Sequence, residues 1–503
     1  MHRNHFFKMK RLHDNVVVAF PRVQRVVRAP VDERAGLDWQ VNPTIIPSTT
    51  AASLDSLGLS NELVEACMHH GMDAFFAVQT AVIPRILHPS GDVYVHAPTG
   101  SGKTLAYVLP IVQALSTRRI VRLRALVVVP TRDLAIQVRQ VFDTFTKGTV
   151  VKVAGLYGQN TFKEEQSMLV DDEGDVGGSS RVDVLVCTPG RLVDHLQQTR
   201  RFTLQHVKYL VVDEVDRLVS QSFQEWLPFT VEALERCHQS VQTVGGGVDG
   251  VAGRLIPTTD LSLRRPDRVQ KLLLSATLTN DVEQLAHLSL YKMQCISIRD
   301  GDSAITVPST LTESIVTMEA SDKPLHVLHL MLTKQLSAVL CFCKSVDSAQ
   351  RLCRLIRSFF DLGRLSSTFT VEDLTGQMDM AQRKNILKRF KQGDIQLLVC
   401  SDLVARGIDL DNVNAVIVYD MPNNVNTYVH RIGRCARAGK VGQSWVLVEN
   451  EEARAFKDMM RAANRWELIK RVKVKPGELE YLQAVYQDAL DVLERVYHPT
   501  KRS

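Results

Sequence analysis

Nowhere in the 503 residues is there a run near the ~18 uninterrupted apolar side chains that a membrane-crossing helix needs. The strongly apolar stretches are of the size of Ala125 to Val129, so no membrane partner is expected. Paired C-x-x-C spacing is also missing. The nine cysteines, an odd number, stand at 67, 187, 237, 295, 341, 343, 353, 400 and 435. That pattern excludes a compact disulfide framework and points to a reducing compartment. Cys341 and Cys343 fall one residue apart in an apolar run, where a strand would bury both on one face. Most of the chain lacks a charge excess too. The formal net charge is +6, but residues 1–30 hold seven Lys or Arg against the single acid Asp14, and the rest balances at 54 basic and 54 acidic side chains. A uniformly basic coat for nucleic acid is excluded, and any polyanion must be gripped by local geometry.

What is there is an ordinary globular composition, 45% apolar and 23% charged, which excludes disorder throughout. The length suits roughly three domain-sized units, or two plus extensions. Residues 1–50 show no clear period and read as a basic extension ending in a polar linker, Asn42 to Thr50. From Leu54 onward, short β-branched runs alternate with helical stretches: Asp92 to Ala97, Ala125 to Pro130, Val151 to Gly155, Val182 to Cys187, Tyr209 to Val212, Lys271 to Leu274 and Gln294 to Ile298. Continuous apolar strands separated by helices predict a parallel sheet covered on both faces. A second series follows: Ser314 to Met318, Ala338 to Phe342, Phe369 to Leu374, Gln396 to Cys400, Ala415 to Tyr419 and Gln443 to Val448. The fold class expected is therefore α/β, with two units in tandem at 51–300 and 311–465, a hinge at 301–310 and a C-terminal extension at 466–503. Val170 to Arg181 and Gln239 to Arg268 read as surface insertions. Pro476 to Val496 carries apolar residues at helical spacing and is expected to pack on the second unit, with a partner-binding helix as the alternative.

The first strand runs into Ala97-Pro98-Thr99-Gly100-Ser101-Gly102-Lys103-Thr104, followed by a helical stretch. Glycines here let backbone N–H groups wrap phosphates, Lys103 reaches the outer phosphates, and the Thr104 hydroxyl ligates Mg2+. Leu210-Val211-Val212 delivers Asp213 and Glu214 to the end of a buried strand, Asp213 to hold Mg2+ and Glu214 to polarise water. An isolated Asp-Glu pair is usually a solvated loop; the apolar strand before it and the P-loop upstream give this one a catalytic reading. The charge that shifts onto the γ-phosphate in the transition state needs further cations, and His430-Arg431-Ile432-Gly433-Arg434-Cys435-Ala436-Arg437 in the second unit offers Arg434 and Arg437. Three residues apart on a helical turn, both would face one side. Hydrolysis would then require the two units to close.

In their order along residues 54 to 460, these motifs resemble a DEAD-box RNA helicase. Gly71 to Gln79 resembles that family's adenine-reading segment, with Gln79 on the adenine edge, which implies ATP. Pro130 to Ala135 with Arg132, Gly155 to Gly158, and Thr188-Pro189-Gly190-Arg191 resemble its RNA-backbone contacts. Ser275-Ala276-Thr277 resembles the segment that, with Asp216 and His430, couples ATP to closure. Ser401-Asp402 and Arg406 to Asp409 resemble contacts to RNA and to the ATP ribose, Asp409 being the ribose ligand. The resemblance implies two tandem RecA-like domains, ATP and Mg2+ as cofactors, and a monomeric core that contacts RNA through its backbone. Assembly-factor proteins would bind the extensions. The chain departs from the family at Val215, where Ala is usual, at Phe75-Phe76, which replace Pro-Thr, at Leu54, where an aromatic is usual, at Ser401, which replaces Thr, and at Cys435-Ala436, which replace Thr-Gly.

Phe75 to Pro84, His96 to Leu115, Arg191 to Leu196 and Lys323-Pro324-Leu325 resemble the nucleolar branch of the family that acts in large ribosomal subunit assembly. Unwinding of RNA and an ATP-gated clamp with little strand displacement are both open readings. The basic N-terminus reads as a nuclear or RNA-contacting arm, a mitochondrial transit segment or a solvated tail; the nucleolus is favoured, with the mitochondrion as the alternative. A DNA helicase or a small-molecule kinase shares the P-loop, but a kinase gives no reason for the second unit.

Overall fold

The computed structural model describes residues 43–170, 180–220, 226–239, 268–276, 288–299, 307–308, 310–363, 369–375, 378–402, 410, 412–436 and 440–497. Thr277, Arg406 to Asp409, Arg437 and nearly all of both insertions lie outside them.

The β-branched runs of the first unit form an eight-stranded parallel sheet. Its order is Thr44–Ile46, Gln294–Ile298, Val93–His96, Gln270–Ser275, Tyr209–Asp213, Ala125–Val128, Val184–Cys187 and Val153–Leu156. Successive residues of each strand enter opposite cores: Val93 and Val95 lie in one, Tyr94 in the other; Ala125 and Val127 in one, Leu126 and Val128 in the other. Helices Ala77–Leu87, Lys103–Ser116 and Arg132–Phe145 cover the first face, and Pro189–Gln198, Val215–Ser220 and Trp226–Gln239 cover the second. Both faces of the sheet are dry, which explains why the strands read as unbroken apolar runs.

The second unit is a seven-stranded parallel sheet in the order Val371–Leu374, Leu397–Ser401, Val339–Cys343, Ala415–Val418, Gly442–Glu449, Leu311–Met318 and Lys470–Val472. Cys341 and Cys343 share one core, as their spacing predicts, with Phe342 on the other face. The helix Glu480–Tyr497 buries Leu482 and Ala489 in the Cys341 core, so it packs on the second unit as expected. Among the described residues no helix is long and apolar enough to cross a membrane.

Three expectations need correction. Thr44–Ile46, inside the stretch read as a linker, is an edge strand of the first sheet, where its backbone pairs with Gln294–Ile298. Lys470–Val472, inside the stretch read as a helical extension, is an edge strand of the second. Arg434 does not stand on a helix: the helix Val425–Ile432 stops at Gly433, and Arg434 lies in the turn beyond.

Candidate nucleotide and RNA site

Strand Val93–His96 ends against the P-loop, and helix Lys103–Ser116 begins at Gly102, whose φ of +87° lies in the left-handed region. Glycine is needed there twice over, because a Cβ would also fall 2.3 Å from Gln79 Nε2. The Gln79 amide, wholly buried, accepts from Phe76 N at 2.9 Å and donates to Gly102 O at 3.3 Å, clasping its segment to the loop. Lys103 Nζ donates to Ala97 O and Pro98 O at 2.7 and 2.9 Å. The Ser101 hydroxyl is buried with no hydrogen-bond partner among the described residues.

Asp213 and Glu214 emerge from the strand two places from the P-loop strand, with Ser275 at the end of the strand between them. Ser275 is wholly buried and accepts from Ala97 N through its carbonyl. Asp213 accepts from Glu214 N at 2.9 Å and from the Tyr107 hydroxyl at 3.1 Å. Burial lifts the Asp213 carboxyl to about 6, opposed by the Lys103 ammonium and reinforced by the Glu214 carboxylate. Glu214 sits at φ +51°, a strained conformation for a side chain of its kind, and its Oε2 is buried 3.9 Å from Arg217 Nη1.

The two units meet over this site. The Thr99 hydroxyl donates to Gly433 O at 2.9 Å, and His430 Nε2 stands 3.0 Å from Asp216 Oδ2. Arg434, 5% exposed, donates through Nε to His430 O at 3.3 Å. Arg431 grips Asp402, beside the buried Ser401, through two bonds of 2.7 and 2.8 Å. A cavity of about 270 Å3 lies at the junction, with Phe76 and Pro98 to Ser101 on one side and Pro308, Thr310 and Ala436 on the other. Leu54, where the family has an aromatic, is buried in the core instead.

On the first unit, Arg132, Gly158 and Arg191 converge. Gly158 has a φ of +74°, and a Cβ there would lie 3.2 Å from Arg191 Nε and 3.3 Å from Arg132 Nη2. Thr188 occupies the N-cap position of the helix that carries Arg191, its side chain making no capping bond. Beneath them Glu165, 1% exposed, accepts from Gly158 N at 3.1 Å and lies 3.3 Å from Arg191 Nε and 3.1 Å from His195 Nε2. Arg383 reaches across from the second unit to Asp133 at 2.6 Å.

Residues 76–285 match the family described as DEAD/DEAH box helicase, and residues 322–439 match the helicase conserved C-terminal domain. The chain is 39% identical over 482 residues to the ATP-dependent RNA helicase dbp6 of Schizosaccharomyces pombe, covering 90% of this chain and 79% of that one. It is 37% identical over 485 residues to the ATP-dependent RNA helicase DDX51 of Homo sapiens, covering 91% and 71%. The chain is a DEAD-box ATP-dependent RNA helicase. Its fold is that of Mss116p, solved bound to ssRNA and AMP-PNP, at a TM-score of 0.71 and 24% identity over 89% of this chain and 85% of that one. S. cerevisiae Dbp5, solved bound to RNA and ADP BeF3, gives 0.63 at 21% identity over 88% and 99%.

Within this helicase the donor set suits Mg2+. Among the described residues no three acidic, His or Cys side chains cluster as a metal cage, and Mg2+ held mainly by nucleotide phosphates needs only one or two protein ligands. Asp213 accepts from the Tyr107 hydroxyl on the helix that Lys103 and Thr104 begin, and its carboxylate is buried at an energetic cost that a cation would offset. The sequence reading missed Tyr107, Glu165, His195 and the Asp133–Arg383 pair.

Proposed function

We propose that this helicase couples ATP hydrolysis to closure of its two units on RNA, locally unwinding or remodelling ribosomal RNA during large-subunit assembly. The observation that carries the reading is the junction itself: Thr99 to Gly433 at 2.9 Å and Asp216 to His430 at 3.0 Å place the P-loop and the arginine-bearing turn in contact. On this reading Gln79 selects adenine, Ala97 to Thr104 cradle the phosphates and Lys103 neutralises the outer ones. Asp409 binds the ribose. When bound, the metal held by Thr104 and Asp213 offsets phosphate charge. Glu214, fixed by its strained backbone, orients the attacking water. Arg434 and Arg437 stabilise the charge of the transition state, a contribution worth about a thousandfold or more in rate.

Asp216, Ser275, Thr277 and His430 make that chemistry depend on closure. Arg132, Gly158, Thr188, Arg191 and Ser401 hold RNA phosphates and 2'-hydroxyls without reading bases. Once ATP is hydrolysed, contacts to the outer phosphate are lost and the units part, releasing RNA. The nucleolar site of action is supported by the branch resemblance of Phe75 to Pro84, His96 to Leu115 and Arg191 to Leu196.

RNA-stimulated ATP hydrolysis by the purified chain, lost in Glu214→Gln, tests the chemistry; hydrolysis that ignores RNA or survives the substitution overturns it. Duplex displacement measured alongside separates unwinding from clamping. Imaging of tagged protein with and without residues 1–40 separates nucleolus from mitochondrion.

A further inference from the structure

The chain-wide charge balance conceals a second concentration of positive charge. Residues 453–475 contain eight Lys or Arg against Asp458 and Glu467. One of the eight, Arg465, is buried and neutralised by Glu313. Five others border an open groove of about 610 Å3 between helix Ala453–Ala462 and the edge strand Lys470–Val472. Arg454, Lys457 and Arg461 line it from the helix, and Arg471 and Lys473 from the strand side.

Trp466 gathers the two rows. The Arg471 guanidinium lies 4.9 Å and the Lys457 ammonium 5.8 Å from its ring centroid, so cation–π attraction holds together charges that repel one another. The two acids do little to cancel them. Asp458 pairs with Arg454 at 4.0 Å and Glu467 with Arg471 at 3.4 Å, all four side chains being more than half exposed, and exposed pairs of this kind contribute little. The fold gains nothing from ringing an open groove with five cations; a bound polyanion would relieve their repulsion.

We propose that this groove is a second RNA-backbone site, taking single-stranded RNA that flanks the segment held in the cleft. Along the helix the three cations rise about 4.5 and 6 Å apart, a single file suited to successive phosphates. An acidic protein partner fits less well, because the one aromatic that could anchor it is already covered by two cations. The groove lies five strand steps from the strand that ends at Ser401, about 24 Å at ~4.8 Å per strand. RNA in the cleft therefore reaches the groove only through its tail, and the tail's attachment becomes intramolecular, which raises overall affinity. This proposal rests on the RNA-binding reading above.

The test compares the full chain with a Lys457→Glu/Arg461→Glu/Lys473→Glu variant on two RNAs, one just long enough to fill the cleft and one with an added single-stranded tail. For the native chain the tailed RNA should bind about tenfold or more tightly than the short one. The variant should lose that gain, and its salt dependence on tailed RNA should fall by about two in log–log slope, for three phosphate contacts at ~0.7 each. Short-RNA affinity and RNA-saturated ATP hydrolysis should not change, which also shows that the variant is folded. An unchanged tail gain overturns the groove, as does equal weakening on both RNAs. A native chain that binds neither RNA overturns the helicase reading instead.

Discussion

The Thr99 hydroxyl and the Gly433 carbonyl, 334 residues apart in sequence, form a 2.9 Å hydrogen bond where the P-loop meets the turn that carries Arg434. The contact requires glycine: a Cβ at 433 would fall 2.1 Å from Thr99 Oγ1 and 2.9 Å from Val429 O. Gly433→Ala should therefore obstruct closure, lowering RNA-stimulated kcat at least about a hundredfold, a barrier increase of ~3 kcal/mol. ATP binding to the open protein should be unaffected. Thr99→Ala removes the nearer obstacle and should recover part of the loss in the double variant. Hydrolysis rates beside nucleotide titrations of the open form check this, and a Gly433→Ala enzyme of native rate would show that the junction is not part of the cycle.

Tyr107 should behave as a positioning residue. Its ring is wholly buried among apolar neighbours, but its hydroxyl donates to Asp213 at 3.1 Å. Tyr107→Phe leaves a buried carboxylate oxygen without that donor, which costs about 1–3 kcal/mol. The expected outcome is a kcat about tenfold lower with a higher Mg2+ concentration for half-maximal rate. ATP hydrolysis titrated with Mg2+ at fixed ATP measures both, and a change in thermal stability alone would assign the hydroxyl a purely structural role.

Glu165 should matter to RNA and not to ATP. Its carboxylate holds the Gly158 N–H, Arg191 and His195, so three groups of the cluster proposed to contact RNA share one anchor. Glu165→Ala would leave Arg191 only its longer pairing with Asp194 at 3.7 Å and the buried His195 without that partner, weakening RNA binding about tenfold or more. Basal hydrolysis should remain native. RNA titrations beside basal and stimulated ATPase rates decide, and equal loss of basal and stimulated activity would indicate general damage.

The sequence disclosed what is periodic or contiguous. Both parallel sheets were legible because strands buried on two faces are unbroken apolar runs, and the placement of the P-loop and of the Asp213-Glu214 pair at strand ends because each is contiguous with its strand in sequence. What depends on distant partners was not legible. Tyr107 sits in an apolar helix and reads as core, its hydroxyl acquiring a role only because strand Tyr209–Asp213 lies beside it. Glu165, on the short helix Phe162–Leu169 next to an insertion, reads as a solvated charge until Gly158, Arg191 and His195 fold over it. The edge strands Thr44–Ile46 and Lys470–Val472 are three residues each, too short for a period to declare itself. The Arg434 turn was misread as helix because the stop at Gly433 is set by backbone geometry that helical spacing alone does not reveal.

His96, the last residue of the strand that enters the P-loop, makes stability depend on pH. Its ring is buried with Nδ1 3.0 Å from Ser297 Oγ, and burial pushes its pKa from 6.5 down to about 4, with the Lys103 and Arg299 charges adding to the fall. Between about pH 6.5 and 4 the unfolded chain binds the proton and the folded one resists it, so stability from this group is complete above 6.5 and is lost as pH falls. The loss reaches about 3 kcal/mol at pH 4. Unfolding midpoints of the nucleotide-free protein should fall across this window, and His96→Gln, which cannot take up the proton, should fall less by that amount. Parallel pH dependences in the two proteins would assign the acid sensitivity to other groups.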